Sequence, residues 1–318
     1  MDENKPGNVD VSVVMTTYGH EDFILKAING VVSQEFNGVI ELIISNDKSP
    51  DNTHQVVEKY IKENPCPPNI IIRYYNQEVN KGSIGNFLWI INQAKGRFLA
   101  VCEGDDFWIC PHKLEKQVTF LTNNPEYSIV FSNVHVKIES GKFNQTNELT
   151  KVEMDREYQG FEILENWTAH TSTFLIRNSI EMKSFEEFFK KHNFMYGDTP
   201  LFLYALTFGK GYGTIDYTST YRRHEGGLTN QVQDNNFYIK FINYLISIKS
   251  AFANESYNKV LDKSIRGFYL RLFFNTSKIK LDKYLFLFKA MKYDRWFVFN
   301  LLREKLSRRM EVGHYLKK

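Results

Sequence analysis

Apolar and polar positions alternate in blocks over the first hundred residues. Val11-Ser12-Val13-Val14-Met15 is a β-branched run that opens into Thr16-Thr17-Tyr18-Gly19, the pattern of a buried strand emptying into a loop. Phe23, Ile24, Ala27, Ile28 and Val31 then recur at helical spacing across residues 22–34. Ile40 to Ile44 reads as a second strand, followed by the polar stretch Ser45 to Thr53 and a helix from Thr53 to Glu63 with Asp51 or Asn52 as its cap. Ile70 to Tyr75 is a third strand. A helix opens at Asn80-Lys81-Gly82-Ser83 and runs to about Ala94, and Arg97 to Cys102 is a fourth strand, stopping at Glu103-Gly104-Asp105-Asp106.

Strands alternating with helices predict an α/β fold with a doubly wound, largely parallel sheet, whose ligands bind beyond the carboxyl ends of the strands. The polar clusters at 16–18, 47–51 and 103–106 all fall at those ends. One such loop is ordinarily a cap or a turn; three at equivalent strand ends point to a site. No G-x-G-x-x-G and no G-x-x-x-x-G-K-[ST] occurs, so a nucleotide would be held another way. Glu103, Asp105 and Asp106 offer hard oxygen ligands for Mg²⁺ or Mn²⁺ bridging a diphosphate, and carboxylates crowded on one turn repel unless a cation lies between them.

Composition changes this picture little. The 318 residues are 42% hydrophobic and 24% charged, which excludes collagen-like, coiled-coil and wholly disordered classes. Three cysteines without C-x-x-C spacing suggest neither a disulfide framework nor a zinc knuckle and suit a reducing cytosol. The polar first ten residues lack the pattern of a signal peptide, and no apolar run approaches the roughly 20 residues of a spanning helix, so the expected location is cytoplasmic. Charge is more informative. The net +3 hides a split: residues 230–318 carry 18 basic and 7 acidic residues, net +11, against −8 for residues 1–229.

The ordered set Val11 to Tyr18, Asp47 with Asp51-Asn52-Thr53, Asn80-x-Gly82, and Cys102-Glu103-Gly104-Asp105-Asp106-Phe107-Trp108 resembles family 2 glycosyltransferases with the GT-A fold. The likeness spans roughly residues 9–230 and is greatest to bacterial members that build capsule, O-antigen or other surface polysaccharides. It implies a GT-A type nucleotide-binding sheet, mostly parallel, with helices on both faces, as a catalytic domain over 1–229. Its nucleotide-sugar half covers about 9–135 and its acceptor half about 160–229. Residues 230–318 would form a basic, aromatic helical extension.

By the same resemblance, Thr16, Thr17 and Tyr18 pack a uracil ring and its ribose, and Asp47 accepts from the base's imide N–H. Asn80 and Gly82 lie beside the nucleotide and sugar, and Glu103 contacts the ribose directly or through water. Asp105 is the main metal ligand and Asp106 a second ligand or a brace. The chain departs from the family's commoner Asp-Asp-Gly-Ser with Asn46-Asp47-Lys48-Ser49, and from its Asp-x-Asp with Glu103.

Downstream, Ser128 to Ser132 reads as a strand, 139–160 as a mobile polar insertion, and Ala169 to Ile176 as a polar segment entering a strand, with His170 structural or supporting the site rather than catalytic. Asp198 precedes an apolar helix with Pro200 in its first turn, the pattern of an N-cap. The resemblance makes Asp198 the catalytic base, matching the Asp of a Glu-Asp motif whose Glu is here Gly197. In Tyr221-Arg222-Arg223-His224-Glu225-Gly226-Gly227 it implies that His224 completes the metal site or touches the diphosphate and that Arg222 neutralises it.

Phe237, Phe241, Tyr244, Leu245, Ile248 and Phe252 follow helical spacing, as do Ile265, Phe268, Tyr269, Leu272 and Phe273. Packing on the catalytic domain explains these stripes but not the net charge. Basic, aromatic faces over 284–299 and 303–318 suit an anionic inner leaflet. The combined expectation is an inverting, metal-dependent hexosyl- or N-acetylhexosaminyl-transferase using a UDP-sugar and Mn²⁺ or Mg²⁺. It would act on a glycan or lipid-linked glycan, peripherally on the inner face of the cytoplasmic membrane. A nucleotidyltransferase normally shows a Gly-rich basic loop after its first strand, which residues 16–20 lack, and the acidic first 229 residues give no support to a nucleic-acid partner.

Overall fold

A computed structural model describes residues 9–139, 149–179, 181–227, 234–276, 282–301 and 303. The chain divides into two compact units, Met1–Asn230 and Gln231–Lys318.

In the first unit, β1 (Val11–Thr17), α1 (Ile24–Val32), β2 (Ile40–Asn46), α2 (Thr53–Glu63), β3 (Ile70–Asn76), α3 (Gly82–Ile91) and β4 (Phe98–Val101) alternate as the hydrophobic pattern requires. β2 is buried along its whole length because it lies between β1 and β3 with helices on the faces, and a parallel strand in that place reads as a continuous apolar run. β1 also pairs parallel with β4, so Thr17, Asn46 and Val101 end on one side of the sheet. α3 closes at Ile91, short of Ala94, because Gln93 and Ala94 donate to the carbonyls three residues back and tighten the last turn.

The chain continues through β5 (Phe107–Trp108), α4 (Lys113–Asn123), β6 (Tyr127–Ile138), β7 (Arg156–Tyr158), α5 (Gly160–Asn166), β8 (Leu175–Arg177), α6 (Phe185–His192), α7 (Asp198–Ala205) and β9 (Lys210–Arg223). Among the described residues the strands form one sheet in the order β3-β2-β1-β4-β8-β6-β9-β5, with β7 on β9. The β3-β2-β1-β4 half is parallel, and antiparallel pairs begin at β4–β8. The polar stretch 139–160 is more structured than its composition suggests: Tyr158 of β7 is buried against β9, while residues 140–148 lie outside the described set. β9 runs beside β6 until Ser132 faces Thr214, then skips so that Asn133 faces Tyr217. Such a bulge bends a strand and re-aims the residues beyond it. Here Ser219 and Thr220 turn to pair with β5, and residues 222–224 reach the end of β4.

The second unit holds α8 (Asn235–Phe252), α9 (Glu255–Asn275) and α10 (Asp282–Met291), with residues 295–301 also helical. Asp234 caps α8 through Phe237 N, and Asn254 caps α9 through Ser256 and Tyr257 N. The stripes expected from the sequence meet each other, with Phe241 and Phe268 rings 5.0 Å apart and Ile248, Leu261 and Ile265 buried. No described helix is long and apolar enough to cross a membrane.

Candidate active site

The acidic turn after β4 is pressed against the end of β1. Gly104 N donates to Thr16 O at 2.9 Å, and a Cβ on Gly104 would lie 2.9 Å from the Thr17 side chain, so only glycine permits this approach. The turn sends its carboxyl groups in different directions. Asp105 Oδ2 lies 3.2 Å from His224 Nε2 and 3.8 Å from His20 Nε2. Asp106 accepts the backbone N–H of Arg222 at 2.9 Å and comes within 3.9 Å of His170 Nδ1. Glu103 Oε2 is buried with no hydrogen-bond partner.

These placements separate the acidities. Burial, with the Asp105 charge behind it, pushes Glu103 up to about 8. Burial and the same neighbour drive Asp106 well above the carboxylate range. Burial would raise Asp105 too, but His20 and His224 outweigh it and hold that carboxyl low. Three acids within four residues therefore settle with the charge on Asp105, the one facing two imidazoles.

His20, on the loop after β1, joins this cluster although its role was not legible beforehand. Its backbone N–H donates to Thr53 Oγ1 at 2.9 Å; Thr53 is held by Asp51, which also accepts from Glu21 N. Asp51 thus fixes the His20 loop and, through Thr53 N, starts α2, whereas Asn52 makes no side-chain cap. His20 Nδ1 lies 3.2 Å from Thr17 Oγ1. With Nδ1 donating there, a cation between this ring and Asp105 would meet the Nε2 lone pair, the arrangement metal-binding histidines adopt. Burial lowers the His20 pKa, against the opposing pull of the Asp105 charge. Among the described residues, donor atoms of His20, Asp105 and His224 lie within 4.8 Å of one another.

Asp106 and Arg222, expected at the metal and the diphosphate, are not brought into that trio. Arg222 is buried: Nη1 donates to Asp105 O at 3.0 Å, Nε lies 3.1 Å from Glu139 Oε1 without the alignment of a hydrogen bond, and the guanidinium is 4.4 Å from the Phe107 ring centre. Both residues brace the turn from beneath.

Nearby, Asp47 N donates to Thr17 O, and Asp47 Oδ1 accepts Lys81 N at 2.7 Å, tying the end of β2 to the start of α3. Asn80 Oδ1 accepts Gly82 N at 2.8 Å in the same turn. Thr17 is buried, Thr16 half-buried and Tyr18 exposed. Asp198 is the first residue of α7 rather than its cap, and its Oδ1 accepts Thr199 N at 2.7 Å. Burial raises its pKa, and its charge helps raise that of Glu103. A Cβ at Gly197 would lie 2.6 Å from the Phe87 ring of α3, so glycine fits there without displacing the ring.

Known proteins give this arrangement a lineage. Residues 12–185, more than half of the chain, match the model for glycosyl transferase family 2. The chain belongs to that family. Rv1520, an uncharacterised protein of Mycobacterium tuberculosis, is 36% identical over 131 residues, 41% of this chain and 37% of that protein. WfgD of Escherichia coli, a UDP-Glc:α-D-GlcNAc-diphosphoundecaprenol β-1,3-glucosyltransferase, is 30% identical over 126 residues, 40% of this chain and 46% of that protein. The matched stretch therefore spans less than half the length of these relatives. The structure of Staphylococcus aureus TarS 1–349 with UDP-GlcNAc superposes over 89% of this chain and 80% of that one, with a TM-score of 0.60 at 18% identity. At that identity the likeness speaks for the fold, which is GT-A.

Proposed function

We propose that this family 2 member is an inverting, metal-dependent glycosyltransferase that moves one hexosyl or N-acetylhexosaminyl group from UDP to a hydroxyl of a glycan or lipid-linked glycan. It serves surface-polysaccharide synthesis at the inner face of the cytoplasmic membrane. The observation that carries the reading is the His20, Asp105 and His224 trio at the carboxyl ends of β1 and β4. The UDP-GlcNAc held by TarS and the diphosphoundecaprenol acceptor in the name of WfgD support the donor and acceptor classes.

Two imidazoles and a carboxylate fit a divalent cation and suit Mn²⁺ better than Mg²⁺, which favours oxygen alone. His20, Asp105 and His224 would hold it, where it would neutralise charge on the departing diphosphate. Thr16, Thr17, Tyr18 and Asp47 take the base and ribose, with Glu103 toward the ribose and Asn80 and Gly82 beside the nucleotide and sugar. Asp106 and Arg222 keep the turn rigid so that Asp105 does not relax away from the two rings. Asp198, with Oδ1 engaged by Thr199 N, takes the acceptor proton on Oδ2 as the hydroxyl attacks the anomeric carbon from the face opposite the diphosphate. Transfer of this kind depends mainly on positioning.

A screen of UDP- and GDP-sugars with Mn²⁺ or Mg²⁺ tests the reading. One UDP-sugar should be turned over, fastest with Mn²⁺, and EDTA should abolish turnover. Full activity in EDTA would remove the metal from the mechanism, and calorimetric binding of an oligonucleotide in place of UDP would remove the transferase.

A further inference from the structure

The second unit has an apolar face that its own described helices leave open. α10 packs Leu287, Ala290 and Met291 against Tyr269 and Leu270 of α9, with Val298 and Leu301 completing that small core. Tyr284, Leu285 and Phe288 recur at i, i+1 and i+4, which at about 100° per residue gathers them on a different arc of the helix, and Lys292 follows just past its end. Phe288 is 60% exposed and Tyr284 59%. The helical residues 295–301 carry Phe297, Phe299 and Trp296, the last 74% exposed with its ring 6.5 Å from that of Phe299. Six large apolar side chains are thus exposed between residues 284 and 299, where the outer face of a water-facing helix would be polar.

Charge decides what fits. Lys292 and Arg295 are exposed beside these side chains, and the nearby acid Asp294 is engaged by Arg266 Nη1 at 2.8 Å. The unit as a whole carries the net +11. We propose that this face docks the chain on an anionic lipid surface, with Phe288, Trp296 and Phe299 entering the interface and Lys292 and Arg295 meeting the headgroups. The proposal deepens the reading that the acceptor is lipid-linked and names the surface that brings the enzyme to it. A symmetric second copy is the poorer occupant, since isologous pairing would set Lys292 and Arg295 against their own like.

Co-sedimentation of the full chain with vesicles tests this. The chain should pellet with phosphatidylglycerol mixed into phosphatidylcholine at low salt, stay in solution with phosphatidylcholine alone, and be released as salt rises. The double variant Phe288→Ser, Trp296→Ser should lower partitioning about ten-fold or more, and Lys292→Glu, Arg295→Glu should do likewise with the apolar face intact, both with unchanged thermal melts. No pelleting at low salt, or equal pelleting on both lipids, overturns docking by this face. A dimer in sedimentation velocity that Trp296→Ser dissolves assigns the face to a second copy instead. Transfer to a water-soluble acceptor, measured on the same preparation, separates the two proposals. An active chain that ignores vesicles overturns docking alone, and a chain that pellets but transfers nothing overturns the activity alone.

Discussion

Both ends of the sheet bury carboxyl groups, and they treat them in opposite ways. At the amino end Glu41 of β2 is 1% exposed yet fully engaged: Oε1 accepts from Ser12 Oγ and Lys95 N, and Oε2 from Arg73 Nη1 at 3.0 Å. Arg73 is in turn held by Gln93 O and Tyr75 Oη. At the carboxyl end three acids share one turn, Glu103 keeps an unpartnered oxygen, and Asp105 faces two histidine rings. A buried acid with both oxygens hydrogen-bonded joins strands together; acids crowded with valence to spare are arranged for a ligand from outside.

The sharpest way to break this contrast is to remove one acid from each end. Asp198→Asn should lower transfer by about 10²–10⁴-fold while UDP affinity, measured by calorimetry, stays put. Turnover near that of the parent would take the base role from Asp198. Glu41→Ala should do the reverse: a loss of about 2–3 kcal/mol in urea unfolding, because Ser12 Oγ and Lys95 N lose their buried acceptor and the half-buried Arg73 its carboxylate, with turnover per folded molecule retained. A stability change under about 1 kcal/mol would mean that the amino-end network is ornamental and the comparison unsound.

His20 offers a finer test within the site. His20→Ala should weaken Mn²⁺ binding at least about ten-fold, read by electron paramagnetic resonance titration, and leave the melting temperature unchanged. Unaltered Mn²⁺ affinity would reduce the trio to Asp105 and His224.

His20 also marks where the sequence stops being readable. The βα alternation, the strand ends and the acidic turn are local patterns, and the structure keeps to them within a few residues. The roles inside the turn depend on which way each side chain points. That direction is set by partners far along the chain: Arg222 for Asp106 at a separation of 116 residues, and His224 for Asp105 at 119. The bulge in β9 that brings both partners in leaves no mark in the hydrophobic pattern. A histidine three residues past Thr17, on a loop already flanked by two acidic ones, was the available sign of His20, and spacing alone does not tell it from a turn residue. The polar stretch before α5 misled for a related reason, since β7 is three residues long and is fixed by β9 rather than by its own composition.

The smallest expected effect concerns a charge that belongs to neither end. Lys113 is fully buried at the start of α4; its Nζ donates to Gln117 Oε1 at 2.7 Å and lies 4.3 Å from the Trp108 ring centre. Burial lowers its pKa to about 7, with Cys102 and Cys110 as weak opposing neighbours. In the unfolded chain the same amine titrates near about 10.4, so between about pH 7 and 10 the unfolded state binds a proton that the folded state lacks, and stability rises with pH across that window. Below about pH 7 both states are protonated and the full cost of burying the ammonium is felt. Relative to Lys113→Met, which has no titrating group there, the parent should therefore gain about 1 kcal/mol between about pH 7 and pH 8, measured by urea unfolding at each pH. Parallel pH profiles for the two proteins would show that Lys113 keeps its charge when folded. Buried charge held by the protein's own groups, as at Glu41, would then extend to the start of α4, in contrast to the acidic turn.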